Sequence, residues 1–298
     1  MNTNYSNITM ALHLGAPRTD NDQLTWSLRK DSALLRKNGI MIRRPGTYRQ
    51  LISDTLKEVS GDRASPEAQQ SLMKTIVKDQ EINRLIISNN HFLGAPAWMF
   101  NDGLFYRNAG RNVAKLCNLF PENPCELFLA IRNPATFIPE VFSNQNAKGY
   151  DGFVDGINLN SVRWSDVITD IQQQNPDCPV TVWCNEDTPI IWSTVLSEIT
   201  GLKTKTRFAG ELDIINGIMS EETNARLKKF IDDRPDLSDL QRREVKVAFL
   251  EKFVSYDDVE EVIDLPDWTE ELVEEITEGY DYDTEFIAEL PGVKFVFT

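Results

Sequence analysis

Long apolar runs, positive charge and histidine are what this chain has little of. No stretch of about 18 apolar residues occurs, so no segment reads as a membrane-spanning helix. The first seven residues carry no charged side chain and lack the basic start and apolar run of a secretory signal. The four cysteines, Cys117, Cys125, Cys178 and Cys184, form no Cys-x-x-Cys pair. Their spacing encodes neither a zinc site nor a disulfide framework, and four reduced thiols in a cytoplasmic protein are the expectation. Nothing resembles the basic stripe of a nucleic-acid-binding surface, which excludes nucleic acid as a main partner. Internal repeats and low-complexity linkers are absent too.

What is present suffices for a sizeable core. The chain has 298 residues, 41% of them hydrophobic, with six tryptophans and fifteen phenylalanines. The net charge of −15 is unevenly spread: residues 255–298 hold fifteen acids and one basic residue, Lys294. The acidic end reads either as a solvated face that aids solubility or as a docking face for a basic protein partner. Asp257, Asp258, Glu260 and Glu261 lack the ligand spacing and glycine of a calcium loop, and no metal site is expected.

Hydrophobic patterning gives an alternating order. Residues 8–14, 85–88, 126–131 and 180–184 read as buried strands. Helices are expected over 20–37, 47–59, 66–79, 108–119, 134–145, 162–174 and 189–200, with Gly39 and Gly201 closing two of them. Continuous apolar strands each followed by a helix predict an α/β fold, a mostly parallel sheet flanked by helices in three layers. Residues 220–232, 237–253 and 269–290 read as three further helices. Asp267 and Glu270 make a capping-box-like start for the last. Trp268, Leu272, Ile276, Tyr280 and Ile287 give that helix an apolar stripe, and residues 293–297 form a final strand. The organisation expected is one domain, 1–298, with an α/β body over 1–215 and an acidic helical extension, 216–298, packed on it.

In such sheets ligands sit beyond the carboxyl ends of the strands. That places residues 15–22, 89–92, 132–133 and 185–188 in one crevice. His13-Leu14-Gly15-Ala16-Pro17-Arg18-Thr19 is an apolar strand running into a Gly-containing turn, a basic residue and a hydroxyl, the layout of a phosphate-gripping strand–loop–helix. This stretch resembles the phosphosulfate loop of bacterial sulfotransferases, P-loop-type proteins that use 3′-phosphoadenosine 5′-phosphosulfate (PAPS). Their loop typically reads His-hydrophobic-Gly-x-x-Lys-Thr-Gly-Thr-Thr. The strand ending in Ile131, followed by Arg132-Asn133-Pro134, resembles the second hallmark, where an arginine binds the 3′-phosphate.

The resemblance implies sulfuryl transfer from PAPS to a hydroxyl acceptor, a small molecule or a carbohydrate. Gly15, Arg18 and Thr19 would grip the phosphosulfate, and Arg132 with Ser143 the 3′-phosphate. His91 or Glu186 would take the acceptor's proton. The departures fall on the same residues. Arg18 replaces the loop lysine, and Asp20, Asn21 and Asp22 replace Gly-Thr-Thr. Glu140 stands where a serine usually follows the arginine, and Asn90 near the place of a glutamate. Each like-charge contact with the donor at about 5 Å costs roughly 3 kcal/mol at an effective dielectric of 20.

Each of these residues has a plainer reading. Arg18 can be a salt bridge to Asp20 or Asp22, Arg132 a structural ion pair, and His13 a satisfied core histidine. Glu186 and Asp187 follow a strand, and Thr188 can cap the helix that Pro189 begins. Two rival functions therefore stand beside the transferase. One is a non-catalytic interaction protein on the same fold; the other is a transferase with a less anionic donor. Convergence of Arg18 and Arg132 across one cavity favours the first reading. Neutralisation of Arg18 by Asp20 and Asp22 across an occluded loop favours the interaction protein.

Overall fold

The structure, a computed structural model, describes residues 5, 7–78, 80–143, 149–203, 205–254, 265 and 268–298. The chain opens with β1 (Thr9–His13), α1 (Gln23–Lys30), α2 (Ser32–Lys37), β2 (Ile40–Ile42), α3 (Arg49–Glu58), α4 (Pro66–Val77) and β3 (Arg84–Ser88). A small antiparallel hairpin, β4 (Phe100–Asn101) with β5 (Leu104–Phe105), precedes α5 (Ala109–Cys117) and β6 (Cys125–Ile131). Next come α6 (Pro134–Ser143), α7 (Tyr150–Val154), α8 (Trp164–Gln174), β7 (Val180–Cys184) and α9 (Thr188–Thr200). The last part holds α10 (Asp213–Asn216), α11 (Glu221–Asp232), α12 (Asp239–Phe253), α13 (Glu270–Glu289) and β8 (Val293–Phe295).

Six strands form one sheet in the order β2-β3-β1-β6-β7-β8, and every neighbouring pair is parallel. Period-two alternation sends Met10, Leu12, Leu85, Ile87, Leu127 and Leu129 to one face, where they pack with Ile52, Met73, Val113, Phe137, Ile168 and Ile287 of α3, α4, α5, α6, α8 and α13. Ala11, Ile86, Phe128, Ala130 and Trp183 take the other face with Leu24, Leu28, Leu35, Trp192 and Leu196 of α1, α2 and α9. Two covered faces explain why the strands carry apolar residues at nearly every position. Each large apolar side chain so buried contributes about 1.5–3 kcal/mol. The three-layer α/β expectation holds.

The helix expected over 20–37 is two helices. Asn21 and Asp22 have φ of 47° and 69°, left-handed values that delay the start to Gln23. At Asp31 the chain breaks, and this carboxylate accepts the Ala209 N–H at 2.8 Å, tying α1 and α2 to the segment before α10. The edge strand β2 was not expected. It is three residues long and begins directly after Gly39, whose φ of 69° closes α2. The last helix starts at Glu270 with Thr269 as its cap, the Thr269 hydroxyl accepting the Leu272 N–H at 3.2 Å. Asp267 lies outside the described residues, as do the acids 257–261 and the expected end of α6 at 145.

The C-terminal third divides in two. Leu227 and Ile231 of α11 form a small core with Ile215, Met219, Val245 and Phe249. By contrast α13 packs on α6 and α8, burying Ile276, Tyr280 and Ile287 from the expected stripe, and β8 joins the sheet beside β7. Among the described residues no helix is long and apolar enough to cross a membrane.

Candidate functional site

Because all six strands run parallel, β1, β3, β6 and β7 deliver their carboxyl ends to one side of the sheet, and the loops that follow meet there. Gly15 turns the chain out of β1 with φ of 58°. The loop after β3 crosses so closely that a Cβ on Gly15 would stand 2.8 Å from Asn90 Cα. Glycine is required on both counts.

The next residues bend back on themselves. The Thr19 hydroxyl donates to the Ala16 carbonyl at 2.7 Å. Arg18 and then Asn21 and Asp22 are left-handed, which turns the buried Asp20 carboxylate onto the start of α1. There it accepts the N–H of Asp22 at 3.3 Å and of Leu24 at 3.1 Å. These are the helix N-terminal donors that an anion would otherwise take. The chain supplies its own anion instead.

The other charges are matched in the same way. Asp22 receives both guanidinium nitrogens of Arg49, Nη1 at 3.1 Å and Nη2 closer. Arg49 also donates to the Ser88 carbonyl, which accepts the Tyr48 hydroxyl as well at 2.8 Å. Burial raises the Tyr48 phenol to about 12, which keeps it a donor. Arg132, buried at the end of β6, donates through Nη1 to the Arg18 carbonyl at 2.8 Å and is ion-paired with Glu140. Arg18 turns to the same carboxylate, 3.9 Å away. The expected pairing of Arg18 with Asp20 or Asp22 is therefore corrected: its partner is Glu140, while Asp22 belongs to Arg49.

Ser143 donates to the Glu140 carbonyl at 2.9 Å, one turn back in α6. Glu186 follows β7 and is tied at both oxygens: Oε1 accepts the Asn133 N–H at 2.8 Å and Oε2 the Tyr280 hydroxyl at 3.0 Å. Burial raises its pKa, while those two bonds and the nearby charge of Arg132 pull it down. Glu186 thus joins the loop after β7 to the start of α6 and to α13. Thr188 does not cap α9; it is the first residue of that helix, and its hydroxyl donates back to the Cys184 carbonyl.

His13 is buried. Its Nδ1 meets the Ser88 hydroxyl at 2.9 Å, and its ring stacks on Trp183 at 5.8 Å. Burial lowers its pKa, so the ring is neutral near pH 7. His91 follows β3 and lines a cavity of about 440 Å³ with Ser53, Lys57, Asn112 and Lys115, whose walls partly desolvate its ring. Burial and the charge of Arg49 lower its pKa, and Asp22 opposes them. Tyr48, Arg49 and Ser88 went unnoticed in the sequence. Only the fold brings the start of α3 to the end of β3.

In this arrangement the groups that a PAPS donor would use are already engaged within the chain. Asp20 occupies the backbone donors of α1, and Glu140 holds the two arginines that would face phosphates. Arg18, Arg49 and Arg132 stand against Asp20, Asp22, Glu140 and Glu186. A donor bearing several negative charges would have to displace Asp20 from its buried hydrogen bond and Glu140 from a part-buried ion pair. Among the described residues no group of three or more His, Cys, Asp or Glu is placed to hold a metal ion.

Fold and site together define a parallel α/β protein whose strand–loop–helix is neutralised from within. No protein-family model matches the chain, and no curated protein matches it. Among solved structures it is similar to the crystal structure of a sulfotransferase from Alicyclobacillus acidocaldarius. The TM-score is 0.38 at 10% identity, over 83% of this chain and 97% of that one. A likeness of that degree says nothing about activity.

Proposed function

We propose that this chain is an interaction protein on an α/β fold whose anion crevice serves as structure and not as a donor site. The observation that supports this most is the Asp20 carboxylate on the N–H groups of Asp22 and Leu24. A transferase that cycled a phosphosulfate through this loop would need those donors open. The partner class we infer is a basic protein segment, held by the acidic C-terminal helices.

Calorimetric titration with 3′-phosphoadenosine 5′-phosphate at low salt tests this reading. No heat up to millimolar nucleotide is the expected result. Micromolar binding that Arg132→Ala abolishes would overturn it.

One observation favours a second reading, sulfuryl transfer from PAPS to a hydroxyl acceptor. Arg18 and Arg132 both turn to the single carboxylate of Glu140, so two cations converge on one side of the crevice. In that case the parent chain binds the nucleotide and Glu140→Ser binds it more tightly. If both stay silent, the crevice is closed by more than Glu140 and the interaction reading stands.

A further inference from the structure

The cysteines, uninformative by spacing, are brought together by the fold at the opposite end of the sheet from the crevice. Cys117 is the last residue of α5, Cys125 the first of β6, and Cys178 lies two residues before β7. The Sγ atoms of Cys117 and Cys178 are 4.0 Å apart across 61 residues of chain. Cys125 is buried beside them, and its thiol donates to the Asn123 carbonyl at 3.7 Å. Cys117 and Cys178 are each intermediate in exposure, whereas Cys125 is buried.

We propose that Cys117 and Cys178 form a dithiol site that hydroperoxides oxidise to a reversible disulfide. The chemistry needs one thiolate, one neighbouring thiol and a peroxide from outside. The Cys178 sulfur attacks one peroxide oxygen. An S–O bond forms, the O–O bond breaks, and the leaving oxygen departs with a proton as water or an alcohol. The Cys117 sulfur then attacks the resulting sulfenic acid, forming the S–S bond and expelling the hydroxyl, which leaves as water with the Cys117 proton. Two electrons pass from the thiols to the peroxide. An external dithiol restores both cysteines by exchange.

The environment assigns the roles. The Cys117 thiol, 4.0 Å away, favours the charged form of Cys178 and lowers its pKa against the opposing effect of burial. The neighbouring thiols and burial push Cys117 far up, so it remains the proton-bearing partner. Cys184 is a built-in comparison: it sits apart, and burial raises it to about 12. Closure requires the sulfurs to approach from 4.0 Å to about 2.05 Å, which side-chain rotation supplies when the backbones are near enough.

The experiment treats the reduced full chain with equimolar hydrogen peroxide, blocks remaining thiols with iodoacetamide and maps the peptides by mass spectrometry. The expected product is a Cys117–Cys178 cross-linked peptide lighter by two hydrogens, with Cys125 and Cys184 alkylated, and an added dithiol reverses it. Cys178→Ser is expected to abolish the cross-link and Cys184→Ser to leave it in place. In Cys117→Ser, dimedone is expected to trap a sulfenic acid at Cys178, and this arm needs no disulfide. A Cys125–Cys178 link in the parent chain, or equal alkylation of all four cysteines after peroxide, would overturn the proposal. So would oxidation of Cys178 to sulfinic acid without a cross-link.

Discussion

Asp20 shows how a single side chain changes the meaning of a loop. A phosphate at a helix start is held by backbone N–H groups and the positive end of the helix dipole. A carboxylate two residues ahead of a left-handed Asp22 reaches the same groups at no cost of binding a ligand. Asp20→Ala is expected to lose about 1–2 kcal/mol of stability, the usual worth of a cap with two backbone donors. A urea midpoint unchanged in the variant would show that the carboxylate is not a cap. Gly15→Ala is expected to cost more, about 2–3 kcal/mol, because a left-handed φ and a 2.8 Å contact with Asn90 Cα both oppose it. Circular dichroism during denaturation measures that loss.

His13 gives the loop a pH dependence whose sign follows from burial. Its folded pKa is held below the unfolded value of about 6.5. Below that pH the unfolded chain binds a proton that the folded ring resists. Stability is therefore complete above about pH 6.5 and declines as pH falls toward the folded pKa, at up to about 1.4 kcal/mol per pH unit for one group. His91, lowered mainly by burial, acts in the same direction. Urea midpoints are expected to drop between about pH 7.5 and about pH 5, a span that brackets the reference histidine pKa of about 6.5. His13→Phe is expected to flatten that drop whatever it does to absolute stability. An unchanged slope in the variant assigns the effect to other groups.

Among the elements, carboxylates on one element repeatedly finish the helix start of another. Asp170 of α8 accepts the Gly110 N–H of α5 at 2.7 Å, and Glu186 after β7 accepts the Asn133 N–H ahead of α6. Asp283 of α13 accepts the N–H groups of Trp164 at 2.6 Å and Ser165 at 3.2 Å on α8. Burial raises the pKa of Asp283, and the donors with Arg163 oppose it. Asp283→Ala leaves two buried donors without an acceptor and is expected to cost about 2–3 kcal/mol. It is also expected to free α13 for early hydrogen exchange before the sheet opens. Uniform exchange across α13 and the sheet would contradict a role for this cap in docking α13.

These cross-element caps mark the boundary of what the sequence reveals. The strands and the stripe Ile276, Tyr280 and Ile287 are legible because burial imposes periods of two and about four residues. Arg132 and Glu140 are legible as a departure from a motif, since both lie within one short segment. Asp31 reads as helix and breaks it, because its partner Ala209 is 178 residues away. Arg49 has no local signature at all: its partner Asp22 and the Ser88 carbonyl reach it only through the strand order. Three cysteines with no motif spacing meet for the same reason.

At the scale of the whole molecule, the excess of acid is the property that the fold leaves outside. The inward side of α13 buries Ile276, Tyr280, Asp283 and Ile287, while Glu271, Glu274, Glu278, Asp281, Glu285 and Glu289 line its exposed side. Tyr282 and Phe286 stand among them, 73% and 57% exposed. A solvated face has no use for two aromatic rings, whereas a binding face uses rings as anchors and charges for steering. The interaction reading thus predicts that a lysine-rich amphipathic peptide binds the full chain. The affinity is expected to fall with added salt, because exposed charges are screened beyond about 10 Å at 0.1 M. Tyr282→Ser combined with Phe286→Ser is expected to weaken binding at least tenfold, equivalent to about 1.4 kcal/mol. Both changes lie on the solvent side of α13, so thermal stability is expected to be unaffected, which separates loss of binding from loss of fold. Fluorescence anisotropy of a labelled peptide makes the measurement. Binding that is salt-sensitive but indifferent to the two rings would reduce the face to a diffuse negative field. The aromatic pair would then need another explanation.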